Sequence, residues 1–178
     1  MLTIIKQFRI VIYSLVGLVC IVALYDHLII KNVSISEPLG YYLKLPIKTI
    51  ETNKRYFVCL DDKKYITILQ KLGLLTSKNQ CPSGTVYLIK QVVGMPHDVV
   101  EVTESGITIN DRLQKNSRGI KEGRGIELYP LPIGYKRELQ DNEYFVMGIS
   151  PTSIDSRYFG VIKRNQFYRR AFILMRSD

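Results

Sequence analysis

Cysteine and histidine are scarce in this chain of 178 residues, at three and two. Three cysteines exclude a disulfide-dense miniprotein and a four-cysteine zinc cage. His27 and His97 alone cannot build a histidine-rich metal site. No segment recurs at a period of about 20–50 residues, which excludes solenoids and propellers. Acidic residues are also short, 16 Asp+Glu against 25 Lys+Arg, for a net charge of +9. The basic residues are dispersed, with Lys63-Lys64 and Arg169-Arg170 as short pairs and no long basic run. A cationic surface beside an anionic membrane accounts for this more simply than nucleic-acid binding, which is not expected. The hydrophobic fraction of 46% and charged fraction of 23% are globular values and exclude a disordered chain.

Charge is missing altogether from Ile10 to Tyr25, a run of 16 residues. A spanning helix usually needs about 20 apolar residues. Ile4, Ile5 and Leu28 to Ile30 can extend the run, and Arg9 can snorkel. A buried core helix and a cleaved signal peptide are the alternatives. The run ends Ala23-Leu24-Tyr25-Asp26, without the small residues that cleavage needs. The expectation is therefore an uncleaved anchor at 10–30 behind a cytoplasmic N-terminus at 1–9, since Lys6 and Arg9 favour that side. Residues 31–178 then form one domain outside the cytoplasm. In an oxidising compartment Cys59 and Cys81, the two cysteines of that domain, suit one disulfide; two buried free thiols are the alternative.

The exported part reads mainly as short strands with turn residues between them, a mainly antiparallel β domain. The runs are Arg55–Leu60, Thr85–Val93, Val99–Thr103, Gly106–Asn110, Glu143–Gly148, Tyr158–Ile162 and Arg170–Met175. Glu104-Ser105-Gly106 reads as a hairpin turn. One short inserted helix is expected over Asp62–Leu75, where Tyr65, Leu69 and Leu72 repeat at helical spacing. Residues 111–140, rich in Gly and charge around Lys115–Arg137, read as a flexible cap-like insertion.

Three segments carry the chemistry. Lys90 sits inside Val-Tyr-Leu-Ile-Lys-Gln-Val-Val, where burial would lower its pKa and make it a base near neutrality. The alternative is an edge-strand lysine pointing to water. Ser34 and Ser36 lie in Asn32-Val-Ser-Ile-Ser-Glu-Pro-Leu-Gly-Tyr41, and a serine hydroxyl needs a base to become a nucleophile. Asp155 and Arg157, at i and i+2, would share a face on a strand and form an ion pair, or else a surface pair of little worth. His97 and Asp98 are adjacent and would point apart on a strand, so a triad through them is set aside.

Together these segments resemble the type I signal peptidase family, which uses a Ser–Lys dyad. Leu88-Ile-Lys-Gln-Val-Val-Gly-Met-Pro-His-Asp98 resembles the box around the lysine base. Ser153-Ile-Asp-Ser-Arg-Tyr-Phe-Gly160 resembles the box near the C-terminus. Ser36-Glu37-Pro38-Leu39-Gly40-Tyr41 resembles the conjugative-transfer (TraF-type) form rather than the Ser-Met-x-Pro of general leader peptidases, and the Cys59…Cys81 pair around a helix points the same way. The resemblance implies Ser36 as nucleophile and Lys90 as general base. It implies the Ser36 N–H and the Ser34 hydroxyl as oxyanion hole, with Ser153 holding the lysine and Asp155 and Arg157 in support. It implies no metal and no cofactor. His97 stands where the family usually has Gly, at a turn where positive φ is expected.

The implied protein is a single-pass serine endopeptidase of a bacterial inner membrane whose catalytic domain faces the periplasm. It would contact lipid and cleave the leader of an exported precursor, a pilin or transfer protein. The acyl-enzyme would be resolved by water, or by an amine in transpeptidation. A housekeeping signal peptidase and a non-catalytic scaffold of a secretion system are the competing readings.

Overall fold

The computed structural model describes residues 9, 12–19, 28–74, 81 and 87–177. Residues 12–19 form a helix, α1, on which Tyr13, Leu15, Val16, Leu18 and Val19 are exposed. Among the described residues no helix is long and apolar enough to cross a membrane. The rest of the anchor expected at 10–30 lies outside the described residues, apart from Leu28 and the strand that starts at Ile29.

That strand, β1 (Ile29–Asn32), forms a hairpin with β2 (Gly40–Leu45), from Ile29 opposite Leu43 to Asn32 opposite Gly40. Neither strand was expected, because the turn residues between them mask the alternation. Gly40 has φ 141°, and a Cβ there would lie 2.1 Å from the Met175 carbonyl oxygen, so the close approach of the C-terminal strand requires glycine.

β3 (Arg55–Cys59) leads into α2 (Lys63–Lys71). Asp62 caps α2 by accepting from the Lys64 N–H, and Tyr65, Ile68 and Leu69 form its buried face. α2 ends at Lys71, four residues short of the expected Leu75, and Gly73 at φ 66° follows its C-cap Leu72. Cys59 and Cys81 are disulfide-bonded across this insertion.

β4 (Tyr87–Gly94) is followed by the expected hairpin, β5 (Val99–Thr103) and β6 (Gly106–Ile109). The 111–140 stretch is the one read as a flexible cap-like insertion. It carries β7 (Arg112–Leu113), β8 (Glu122–Gly123), β9 (Ile126–Glu127) and β10 (Lys136–Glu138), with Leu128 and Leu139 buried. β11 (Glu143–Met147) is buried along its whole length.

The strand expected at Tyr158–Ile162 is not one. Asp155 caps a single helical turn, α3 (Ser156–Phe159), and Gly160 at φ 76° releases the chain into β12 (Ile162–Lys163). The apolar run packs because Tyr158 turns towards Tyr65 and Leu69 of α2. β13 (Phe167–Arg176) closes the chain.

Among the described residues the strands build a seven-stranded sheet, ordered β1-β2-β13-β3-β4-β11-β12, a four-stranded sheet β10-β5-β6-β7, and the β8-β9 pair. Every pairing is antiparallel. β11 covers β4 only from Gln91 to Gly94, so among the described residues Tyr87 to Lys90 pair on the β3 side alone. Among the described residues β1 and β12 are the edge strands of the seven-stranded sheet.

Candidate active site

Ser34 and Ser36 lie in the turn joining β1 to β2. Pro38 lacks an N–H for a ladder, and Asn32 organises the turn in its place. Asn32 Nδ2 donates to the carbonyl oxygens of Ser34 (3.0 Å), Glu37 (3.1 Å) and Pro38 (3.0 Å). Its Oδ1 accepts from the Ser34 N–H at 3.1 Å. The Tyr42 hydroxyl donates to the Pro38 carbonyl at 2.8 Å, and the Ile149 N–H donates to the Ser36 carbonyl at 2.8 Å. The backbone of Ser36 is therefore held from both sides.

The two hydroxyls, Ser34 Oγ and Ser36 Oγ, are 2.7 Å apart, and the Ser36 N–H donates to Ser34 Oγ at 3.4 Å. The two groups expected to form an oxyanion hole are thus neighbours and engage one another.

Lys90 is 2% exposed, opposite Tyr56 across the β3–β4 ladder. Its Nζ donates to Ser153 Oγ at 2.7 Å. Burial pushes its pKa below the ordinary lysine value; the charges of Asp155 and Glu37 oppose that shift, and Arg157 adds to it.

Asp155 and Arg157 form an ion pair as expected, but on the capped turn of α3 rather than on a strand, and both are buried. Arg157 Nε donates to Asp155 Oδ1 (2.8 Å) and Nη2 to Oδ2 (2.7 Å). The same guanidinium donates to the carbonyl oxygens of Asn116, Ser150, Pro151 and Ser153. Burial alone would lower the Arg157 pKa; the Asp155 hydrogen bond and charge outweigh it and raise it. Asp155 Oδ2 also accepts from the Gly148 N–H at 2.8 Å. The pair is a bracket that fixes the segment carrying Ser153.

Ser34, Ser36, Lys90 and Ser153 line one cavity of about 420 Å³. Its apolar walls include Ile30 and Ile35, Leu69 and Leu72 of α2, Leu88 and Ile154. The disulfide-closed insertion therefore shapes the site through α2. Ser36 and Lys90 share this cavity, while each gives its hydrogen bond to another serine. A buried amine with a lowered pKa, two hydroxyls and the Ser36 N–H beside an apolar cleft suit acyl transfer to serine. Among the described residues no group of three or more His, Cys, Asp and Glu side chains could hold a metal ion.

His97 lies elsewhere. It has φ 70°, is 70% exposed, and its Nε2 sits 3.1 Å from Asp141. Asp98 instead accepts from the Met95 N–H at 2.7 Å and closes the turn.

Three residues at the site carry no pattern that singles them out in the sequence: Asn32, Arg55 and Gly148. A Cβ at Gly148 would lie 2.3 Å from Ser153 Oγ and 2.6 Å from the Ser36 carbonyl oxygen. A fourth, Glu37, is 1% exposed, and Arg55 Nε donates to its Oε2. The position of Glu37 inside the Ser-x-Pro motif is visible in the sequence; its burial is not.

Comparison with known proteins gives the chain its relatives. A plasmid transfer protein TraF from Escherichia coli is 33% identical over 87 residues, 48% of this chain and 49% of that protein. A second E. coli plasmid transfer protein TraF is 27% identical over 136 residues, 76% of each chain. The first alignment thus spans about half the length of that relative. The crystal structure of a signal peptidase I from Enterococcus faecalis V583 aligns over 72% of this chain and 99% of that one, at 17% identity and a TM-score of 0.38. Residues 4–175 match the signal peptidase family, peptidase S26, and the chain belongs to that family.

Proposed function

We propose that the chain is a membrane-anchored serine endopeptidase that removes the leader segment of an exported precursor, with Ser36 as nucleophile and Lys90 as general base. The observation that carries this reading is the Lys90 amine, buried and held by Ser153 in the cavity that Ser36 lines.

In this reading the steps are these. Substrate entry displaces the Ser34–Ser36 hydroxyl contact. Lys90 takes the Ser36 proton as Oγ bonds to the scissile carbonyl carbon. The Ser36 N–H and the freed Ser34 hydroxyl then donate to the oxyanion, where one preorganised donor contributes about 3 kcal/mol. The Lys90 ammonium gives its proton to the leaving amine. Water, activated by the same amine, then releases the acyl group and restores Ser36.

The substrate binds extended between the unpaired edge of β4 at Tyr87–Lys90 and residues 30–36, both of which line the cavity. Apolar walls around that slot favour an apolar leader. Two relatives are plasmid transfer proteins, which supports a pilin or another transfer component as the precursor. The Cys59–Cys81 disulfide supports a periplasmic catalytic domain. The exposed apolar face of α1 supports its place in an inner-membrane anchor.

The test is cleavage of a plasmid-transfer pilin precursor by the purified full chain in detergent. Wild type is expected to cut at one site. Ser36→Ala and Lys90→Ala are expected to fold, keep the disulfide and not cut. Equal cutting by all three would overturn the assignment.

A further inference from the structure

Next to Ser36 lies an ion pair, buried on its Glu37 side, that the reaction as described does not use. Glu37 follows Ser36 directly, its side chain is 1% exposed, and its Oε2 accepts from Arg55 Nε. Its other oxygen, Oε1, is buried without a hydrogen-bond partner among the described residues. A carboxylate held on one oxygen and bare on the other is costly unless another positive charge acts on it. Arg55 on β3 is in ion-pair contact with Glu37, and the charges of Lys90 on β4 and Asp155 at the α3 cap act on it from further away. The Tyr42 phenol on β2 faces it too, and its pKa is pushed up to about 12, by burial first and then by the Glu37 charge. Lys90 is therefore the one cation besides Arg55 in that set.

We propose that Glu37 is a positioning residue of the reaction: held by Arg55 next to Ser36, it supplies a negative charge whose field stabilises the Lys90 ammonium formed when Lys90 takes the Ser36 proton. This rests on the Ser36–Lys90 reading above. The proton leaves Ser36 Oγ for the neutral amine as Oγ bonds to the carbonyl carbon, so a positive charge appears on a nitrogen cut off from water. Asp155 also faces that nitrogen, but both its oxygens are committed to Arg157, and Oδ2 also to the Gly148 N–H. Glu37 has an oxygen to spare. Arg157 opposes the ammonium, which increases the demand for a carboxylate on the other side. The coupling is mutual. Burial raises the Glu37 pKa, while Arg55 and Lys90 favour its charged form.

The sign is fixed by charge. Without Glu37 the ammonium loses a counter-charge, so Lys90 protonates only at lower pH. Two readouts test this on the full chain in detergent. One is the pH dependence of kcat/KM on a transfer-pilin precursor. The other is an NMR titration of the Lys90 ζ nitrogen, assigned by its loss in Lys90→Arg, which needs no substrate. Glu37→Gln is the first variant. Glu37→Met with Arg55→Met is the second, because removing both partners leaves no unpaired buried charge to unfold the chain. In both, the Lys90 midpoint and the acid limb of kcat/KM are expected to move down by about one pH unit, with a lower plateau. A lower plateau with an unmoved midpoint would mean that Glu37 merely packs the turn, and would overturn the inference. Cleavage by Ser36→Ala, or none by wild type, would overturn the dyad reading instead, while the nitrogen titration would still report on Glu37.

Discussion

The amine of Lys90 is tethered to Ser153, with Nζ 2.7 Å from Oγ. The proposed base is thus fixed before substrate arrives, since a buried lysine with four rotatable side-chain bonds would otherwise sample several rotamers. Removing the tether leaves the amine in place but badly aimed. Ser153→Ala is expected to lower kcat about 10²-fold, the usual penalty for misplacement by about an ångström, with KM little changed. Steady-state kinetics on a cleaved precursor measures both. An unchanged kcat would mean that Ser153 does not aim the base.

Burial holds Lys90 below the usual lysine range, and in the proposed reaction the neutral amine is the active form. kcat/KM should therefore rise as pH climbs through the Lys90 pKa and level off above it. Lys90→Arg replaces the amine with a group that stays protonated at all these pH values. Activity is expected to fall by about 10²–10⁴-fold, with no recovery on raising the pH. A pH–rate profile of both proteins checks this; a rising limb in the arginine variant would show that another group is the base.

What could be read ahead of the structure follows the range of the interactions. The Val99–Thr103 and Gly106 hairpin is local, so alternation and one turn sufficed to place it. Lys90 stood out because an amine inside Val, Tyr, Leu and Ile is anomalous wherever the strand lies. The Glu37–Arg55 pair was not visible: 18 residues separate its members, and ordinary charges carry no mark of burial. β1 and β2 were hidden by the Ser, Pro and Gly turn that functions between them. At Tyr158–Ile162 an apolar run has the same composition in a strand or a helical turn, and the Asp155 cap with Gly160 decides it. The single disulfide could be expected from compartment alone, yet the wall that its insertion gives the cavity through Leu69 and Leu72 is a tertiary fact.

Gly148 separates Ser153 from the Ser36 carbonyl. A methyl group there would lie 2.3 Å from Ser153 Oγ and 2.6 Å from the Ser36 carbonyl oxygen. The first neighbour can rotate, but the second is backbone pinned by Ile149. Gly148→Ala is therefore expected to push the Ser36 turn and Ser153 apart. The expected cost is about 1–3 kcal/mol of stability, as for an overpacked core, with cleavage abolished. Urea unfolding and a cleavage assay on the same sample separate the two effects. Full activity would mean that the turn yields without moving Ser36.

Arg157 and Arg170 provide a matched contrast in ion-pair energetics. Arg170 reaches Glu51 at 3.2 Å with both side chains partly in water, and such pairs contribute under about 1 kcal/mol. Arg157 is 1% exposed, pairs with a fully buried Asp155, and gathers four backbone carbonyls around its guanidinium. Arg157→Leu would strand the Asp155 charge in the interior and leave those carbonyls without their donor. The expected loss is about 3–5 kcal/mol, against under about 1 kcal/mol for Arg170→Ala. Urea unfolding followed by far-ultraviolet circular dichroism gives both numbers, and comparable losses would mean that the bracket around Arg157 contributes no more than a surface pair. The activity should fall with the stability in Arg157→Leu, because the Ser153 carbonyl and, through Asp155, the Gly148 N–H both hang from that guanidinium. The lysine tether and the glycine gap that spaces it from Ser36 are thus held by the same buried charge.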